Sequence, residues 1–448
     1  MKRLIDHHLL QWKVNPHRKP LMLRGARQVG KTFAVRQLGA TFSGFIEINF
    51  EFRADLKTLF TQDLDPIRIT KELSLLLQKP IVPGETLLFF DEIQECPAAI
   101  TALRYFYEIM PALHVIGAGS LLDFTLQKIG VPVGRVSSLY MYPLSFVEYL
   151  CAAGKVMILQ ALLKHDERQP LSEVVHRLLL ENVAQYLAIG GMPDAVRTWI
   201  DRENPREIAA IHHTLLGTYR QDFLKYTEKF QIKYIEQLFN EIPRQLGGKF
   251  KYSKVEGEYR KRELAPCLDL LATAGVIHCV THTSGQGTPI GAGSDLSRFK
   301  VIFIDAALSQ TALGFDLVAW FLRSEQELVN KGAVVEAFIG QEILAYSLPI
   351  AKSDLYYWHR ESRGSQAEVD YLVQRGGDIF PIEVKSGSGT SLKSLHLFLQ
   401  EHPKTPYGIR ISTHNYSCNE QIHSLPLYAT LSLASLEQKE AMHWLCQT

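Results

Sequence analysis

Leu21-Met22-Leu23-Arg24-Gly25-Ala26-Arg27-Gln28-Val29-Gly30-Lys31-Thr32 places a short apolar run directly ahead of the pattern G-x-x-x-x-G-K-T. The apolar run reads as a buried strand, and Phe33 to Leu38 as a helix. Between them, glycines let the chain come close enough to aim backbone N–H groups at an anion. Lys31 then reaches the β- and γ-phosphates of a nucleotide, and the Thr32 hydroxyl holds a magnesium ion. Gly25, Ala26, Arg27, Gln28, Val29, Gly30, Lys31, Thr32 and Phe33 are therefore the expected nucleotide-binding residues, with ATP and Mg2+ as the expected cofactors.

Further along, Phe45-Ile46-Glu47-Ile48-Asn49-Phe50 reads as a second strand and Thr86-Leu87-Leu88-Phe89-Phe90-Asp91-Glu92 as a third. An apolar run ending in two acids describes a buried parallel strand whose carboxylates emerge at its C-terminal edge, where nucleotides sit in open α/β sheets. Asp91 is expected to bind the magnesium and Glu92 to polarise the attacking water. His114-Val115-Ile116-Gly117-Ala118-Gly119-Ser120 is another such strand. Ser120 either senses the γ-phosphate and orients water or caps the next helix. Arg135, after Gly134, either stabilises charge on the γ-phosphate in the transition state or is a surface arginine.

Composition sets outer limits. The chain has 448 residues, enough for several domains, and 46% hydrophobic with 21% charged content is that of an ordinary globular protein. A net charge of +1 provides no overall field toward nucleic acid or membrane, so any such binding must use local patches. The six cysteines form no C-x-x-C pair, which fits reduced thiols and argues against a zinc ribbon. The first residues contain no apolar run of signal-peptide length, and no stretch is long and apolar enough to span a membrane. A cytoplasmic protein is expected, with His7-His8 read as a surface pair.

Arg27-Gln28-Val29-Gly30-Lys31-Thr32, Phe90-Asp91-Glu92-Ile93-Gln94, Gly119-Ser120, Gly134-Arg135 and Pro143-Leu144-Ser145-Phe146 together resemble the prokaryotic ATPases of the AAA superfamily. More narrowly, they resemble those carrying a C-terminal domain of unknown function 4143. Leu187-Ala188-Ile189-Gly190-Gly191-Met192-Pro193 is similar to that family's Gly-Gly-x-Pro segment. Leu121 stands where many relatives have a second small hydroxyl residue. The resemblance implies an ATP-binding P-loop NTPase core of the AAA type with a helical lid; the assembly is left open between a homo-oligomer and a complex with a protein partner.

The region from 206 to 245 reads as helices, with Ile232, Ile235, Leu238, Phe239 and Ile242 as an apolar stripe. Lys249, Lys251, Lys254, Arg260, Lys261 and Arg262 follow, with Glu256, Glu258 and Glu263 interspersed, so the run is either a DNA-phosphate contact or a solvated face. Pro266 is expected in the first turn of the next helix. Strands at Val276–Val280 and Lys300–Asp305 complete a winged helix, which the resemblance supports. Asp305-Ala306-Ala307-Leu308 lacks the glycine of the family's Asp-x-Gly-Leu.

Near the C-terminal end, Glu368-Val369-Asp370-Tyr371-Leu372-Val373 and Ile379-Phe380-Pro381-Ile382-Glu383-Val384-Lys385 flank Gly376-Gly377. A two-residue turn there makes a β-hairpin with Asp370 opposite Glu383 and Glu368 opposite Lys385, all on one face. Opposed carboxylates repel, and a divalent cation removes the penalty. Asp-x(12)-Glu-x-Lys is the pattern of the PD-(D/E)xK nuclease-like fold, in which Asp370 and Glu383 bind magnesium and Lys385 orients the hydrolytic water. Glu336 or Glu342 would add a ligand. The plainer reading is a solvent-facing hairpin with ordinary charges.

The expected architecture is α/β throughout, with a P-loop ATPase core over residues 1–150 and a helical lid over 151–220. A winged helix over 221–299 and a nuclease-like domain over 300–448 complete it. The expected function is ATP hydrolysis coupled to a C-terminal module that acts on DNA. The competing reading is an ATP-operated switch whose C-terminal half binds DNA or protein without cleavage.

Overall fold

The computed structural model describes residues 1–130, 134–227, 231–321, 331–362, 365–387 and 391–447. It divides into two compact units, Met1–Tyr142 with Leu348–Lys352, and Pro143–Ser347 with Ser353–Thr448.

The first unit is built on a five-stranded sheet of order β2-β3-β4-β1-β5. Its strands are β1 (Leu21–Arg24), β2 (Gly44–Asn49), β3 (Thr86–Asp91), β4 (His114–Ala118) and β5 (Ser137–Tyr140), all parallel. Parallel strands need long crossovers, and helices Lys31–Gly39, Pro66–Leu77 and Pro97–Ile109 lie within them. Every residue of β3 and β4 is buried, as their unbroken apolar runs require. Phe50, Phe60, Phe90 and Phe106 make an aromatic cluster, with neighbouring ring centroids 5.6–6.1 Å apart. Because all strands run the same way, the loop after β1, Asn49, Asp91 and the turn after β4 share one edge of the sheet.

A lead-in helix, Leu4–Val14, precedes the sheet. Its His8 is buried, not at the surface as its sequence neighbourhood suggested, because Leu4, His8 and Trp12 share one helix face and pack together inward. Pro349, from the short segment that returns to this unit, accepts a hydrogen bond from the Tyr140 N–H at 2.8 Å.

The second unit holds an eight-stranded mixed sheet of order β12-β13-β11-β10-β9-β8-β6-β7. The strands are β6 (Ile277–Thr283), β7 (Ser294–Phe303), β8 (Leu355–Ser362), β9 (Ser365–Arg375), β10 (Asp378–Lys385), β11 (Gly408–Ser412), β12 (Ser417–Asn419) and β13 (Ile422–Pro426). The β6–β7 ribbon is antiparallel, and β6 pairs in parallel with β8, so the ribbon continues into the C-terminal sheet. β7 runs straight through residues 299 and 300. Helices Pro205–Tyr226 and Ile232–Glu241 cover most of the stretch read as helical, while 228–230 lie outside the described residues. The helix containing Pro266 starts at Lys261, earlier than expected, because the Glu263 carboxylate accepts from the Arg260 N–H at 2.8 Å and caps it there.

Several of the segments singled out by family resemblance meet in this unit. The Ser145 hydroxyl and the Glu148 carboxylate form a reciprocal cap on helix Phe146–Ala152. The Leu144 N–H donates to the Gly191 carbonyl at 2.7 Å, and the Gly191 N–H donates to Asp305 Oδ2 at 2.6 Å. Asp305 also caps helix Ala306–Ala312 through Ala307 N–H at 2.8 Å, so a helix start stands where a glycine turn was in question. A side chain at position 191 would place its Cβ 2.2 Å from the Leu144 carbonyl oxygen, which explains the glycine. Gly191→Ala is therefore expected to destabilise the second unit by about 1–3 kcal/mol, the usual cost of overpacking, read as a lowered Tm in thermal unfolding.

Candidate functional site

The loop after β1 is shaped by residues in the left-handed region, Gln28 at φ 64° and Gly30 at φ 100°. Lys31 begins helix Lys31–Gly39 and is buried, with its ammonium donating to the Gly25 carbonyl at 2.8 Å and the Ala26 carbonyl at 2.7 Å. Burial lowers its pKa to about 8, although Glu92 and Asp91 pull it back up. Backbone carbonyls are weak substitutes for an anion, and the ammonium is poised for a stronger one.

The Thr32 hydroxyl donates to Asp91 Oδ1 at 3.1 Å, and Asn49 Nδ2 donates to Asp91 Oδ2 at 3.0 Å. The two expected magnesium ligands are thus brought together from β3 and the helix after β1. Burial and the neighbouring Glu92 raise the Asp91 pKa, the environment that a bound cation would relieve. Asn49 was not singled out in the sequence, yet its position at the end of β2, directly beside Asp91 in the register, is the signal that could have found it.

Glu92 follows at φ 48°, a left-handed conformation that costs a side-chain-bearing residue on the order of 1 kcal/mol. Gln94 Nε2 donates to Glu92 Oε2 at 2.6 Å, and the Ser120 N–H and hydroxyl lie 3.4 Å from the same oxygen. Gly119 makes room for this arrangement, since a Cβ there would lie 1.8 Å from Gln94 Oε1. Arg3, from the lead-in helix, donates to the Val29 carbonyl at 3.0 Å and to the Tyr142 carbonyl at 2.8 Å, holding the loop from behind.

Arg135 is not part of this group. It precedes β5, whose Ser137 N–H bonds to the Pro20 carbonyl, and so lies at the edge of the sheet opposite the phosphate loop. There it pairs with Glu108 at 2.9 Å and stays largely exposed.

The second unit holds a different assembly. The β9–β10 hairpin has the register that a Gly376-Gly377 turn imposes, with Asp378 opposite Arg375 and Ile382 opposite Tyr371. From Ile382 onward β10 also pairs with β11. Asp370 Oδ2 there accepts the Val384 N–H at 2.8 Å. The expected Glu368–Lys385 pair does not form. Lys385 turns instead to Glu383 Oε1 at 2.6 Å, and Glu368 pairs with Lys300.

Lys300, on β7, is the residue that sequence reasoning missed. It is 98% buried, and its ammonium lies 2.9 Å from Glu336 Oε1, in contact with Glu368 Oε1, and 3.7 Å from Asp370 Oδ1. The Tyr357 ring lies beneath it at 5.2 Å. Burial opposes its charge, but Glu336, Asp370 and Glu368 outweigh that and hold its pKa well above the ordinary lysine range. Burial and then Asp370 push the Glu336 and Glu383 carboxyls above the ordinary carboxylate range, against the pull of the lysines. Glu342 lies elsewhere, accepting from the Phe146 N–H at 3.0 Å, so Glu336 is the helix carboxylate that joins the cluster. Among the described residues, no three His, Cys, Asp or Glu side chains are arranged as a metal site. Replacing Lys300 by Met strands a set of buried carboxylates, so Lys300→Met is expected to lower stability by about 3–5 kcal/mol, measured by denaturant unfolding.

Comparison with known proteins finds three families along the chain. An AAA domain matches residues 17–150, a domain of unknown function 8612 matches 180–318, and a domain of unknown function 4143 matches 331–430. No curated protein matches the chain. Among solved structures it is similar to the Walker-type ATPase PABY2304 of Pyrococcus abyssi, at 15% identity and a TM-score of 0.43, covering 69% of this chain and 94% of that one. It is also similar to the Orc1 protein of Aeropyrum pernix, solved in complex with DNA, at 14% identity and a TM-score of 0.23, covering 71% and 93%. PCH-2 of C. elegans matches at 12% identity and a TM-score of 0.24, covering 44% and 58%. Among the described residues, no helix is long and apolar enough to cross a membrane. The chain thus carries an AAA domain over residues 17–150 and a domain of unknown function 4143 over residues 331–430, and in that pairing it is similar to the AAA-type ATPases with the same C-terminal domain.

Proposed function

We propose that the chain hydrolyses ATP with magnesium and couples its nucleotide state to a C-terminal winged-helix and nuclease-like module that engages DNA. The observation that carries the first half is the Thr32–Asp91 hydrogen bond beside the buried Lys31 ammonium. In this reading the loop from Gly25 to Phe33 wraps the phosphates and Lys31 neutralises the β- and γ-phosphate charge. Thr32 and Asp91 hold the magnesium ion, which supplies Lewis-acid charge at the γ-phosphate. Asn49 fixes the Asp91 carboxylate. Glu92, oriented by Gln94, takes the proton of the attacking water, with Ser120 beside it. Arg135 would reach a γ-phosphate only on a neighbouring copy, because it lies at the far edge of its own sheet.

The division into a lid over 151–220, a winged helix over 221–299 and a nuclease-like domain from 300 onward belongs to the same proposal. Helices Ile232–Glu241 and Lys261–Thr273 with the β6–β7 ribbon support the winged helix. Lys251, Lys254, Arg260, Lys261 and Arg262 are exposed there, as are Glu256 and Glu258, while the Glu263 carboxylate is engaged in capping its helix; the remaining basic surplus supports a phosphate contact. In the cleaving form of the module, Asp370 and Glu383 would hold a metal ion and Lys385 would orient water. The Lys300 ammonium among those carboxylates favours the second form, in which the module docks on DNA or protein without cutting it.

Glu92→Gln tests the core of the reading. The variant is expected to keep ATP affinity within a few-fold while turnover drops at least about a hundredfold, the scale of a general base. Unchanged hydrolysis would sink the assignment of Glu92. A second expectation follows from Lys31, whose pKa of about 8 must rise when phosphates bind. Affinity for a non-hydrolysable ATP analogue is then full below pH 8 and falls as pH rises through it, approaching tenfold per unit. A flat profile from pH 7 to 9.5 in titration calorimetry would contradict that placement.

A further inference from the structure

We propose that Lys300 is the resident cation of the C-terminal carboxylate cluster, holding the place that a divalent metal takes in a cleaving enzyme, so that no divalent ion binds at Asp370 and Glu383. The inference deepens the non-cleaving form of the function proposed above and rests on that reading of the second unit.

The cluster draws on four elements. Lys300 comes from β7, Glu336 from helix Gly332–Ala345, Glu368 and Asp370 from β9, and Glu383 with Lys385 from β10. Three of the carboxylates converge on one point, the Lys300 ammonium, rather than on an open space between them. Both Asp370 oxygens already face partners, since Oδ2 takes the Val384 N–H at 2.8 Å and Oδ1 lies 3.7 Å from the Lys300 ammonium. Glu383 gives Oε1 to Lys385, leaving a buried Oε2 without a partner. That oxygen alone cannot define a site, because magnesium demands near-octahedral oxygen coordination at short distances.

Charge points the same way. A divalent ion seated at Asp370 would sit within a few ångströms of a desolvated ammonium, where repulsion between like charges is least screened. Lys300 cannot step aside cheaply, because a buried ammonium that loses its carboxylates becomes an uncompensated charge. The lysine also does mechanically what a bridging metal does, tying the ribbon, the helix and the hairpin together.

The test is Mn2+ binding to the nucleotide-free full chain, read by electron paramagnetic resonance, with Thr32→Ala in every sample to silence the first unit. With Lys300 present, no Mn2+ sensitive to Asp370→Asn is expected. With Lys300→Met, one Mn2+ per chain is expected, and Asp370→Asn should abolish it. Should Lys300→Met fail to fold, Lys300→Met/Glu368→Gln removes one negative charge along with the positive one and keeps Glu336, Asp370 and Glu383. An Asp370-dependent Mn2+ in the chain that retains Lys300 would overturn the proposal, whatever the variants do. A folded Lys300 variant that gains no Mn2+ would overturn it too, leaving the cluster a plain structural ion pair. DNA cleavage assayed with the Thr32-intact chain separates the two levels. Mg2+-dependent cutting that needs Asp370 rejects this inference but restores the cleaving form of the module, whereas absence of both Mn2+ and cutting supports the inference.

Discussion

Burying an ammonium removes its water, and the protein must replace that water with opposing charge or accept a shifted pKa. This constraint organises both units, and they meet it in opposite ways. Lys31 is given the carbonyls of Gly25 and Ala26 as direct partners, with Glu92 and Asp91 acting only from a distance, so burial wins and its pKa falls. Lys300 is given Glu336, Glu368 and Asp370, and its charge is locked in place. The first arrangement waits for an external anion, and the second is already complete. In the proposed reading, one lysine serves a binding site because its surroundings are insufficient, and the other serves as a structural joint because its surroundings are sufficient.

The same contrast runs through the segments that carry the family resemblance. Glu92 and Gln28 are held in left-handed backbone conformations at the edge of the first sheet, where the nucleotide site is proposed. Gly191, Leu144, Ser145 and Asp305 are instead joined by hydrogen bonds within the second unit, where they cap helices and fix close backbone contacts. Sequence segments that look equally distinctive therefore do different work. Asp305 shows the difference well, since its buried carboxylate is engaged by the Gly191, Ala307 and Leu308 amides.

What was legible in the sequence was local. Gly25 to Thr32, the acid pair after Phe90 and the Gly376-Gly377 hairpin follow from spacing along one or two adjacent elements, and the observed hairpin register is the one the turn dictates. What was hidden was non-local. Nothing in the vicinity of Lys300 announces that β7 will bring it beneath Glu336 and Asp370, and its neighbours suggested only an ordinary strand. Arg3 likewise reaches the Val29 carbonyl across the chain, from a helix whose composition gives no hint of a role. Arg135 was legible as a residue type but not as a location, because only the parallel order of β1 and β5 shows which edge it occupies. His8 and Pro266 were misread for a simpler reason: helix phase puts His8 on the buried face with Leu4 and Trp12, and the Glu263 cap moves the helix start ahead of Pro266.

The excursion of Leu348–Lys352 has a consequence for how the molecule can be taken apart. The polypeptide passes between the two units three times, after Tyr142, after Ser347 and after Lys352. A fragment ending at Tyr142 would lack Pro349 and leave the outer strand of its sheet with a bare amide at Tyr140. A fragment starting at Lys300 would slice β7 in two and discard β6, on which β8 is laid. Neither unit is a continuous stretch of sequence, so recombination, tagging or proteolysis that treats the chain as beads on a string would cut through both.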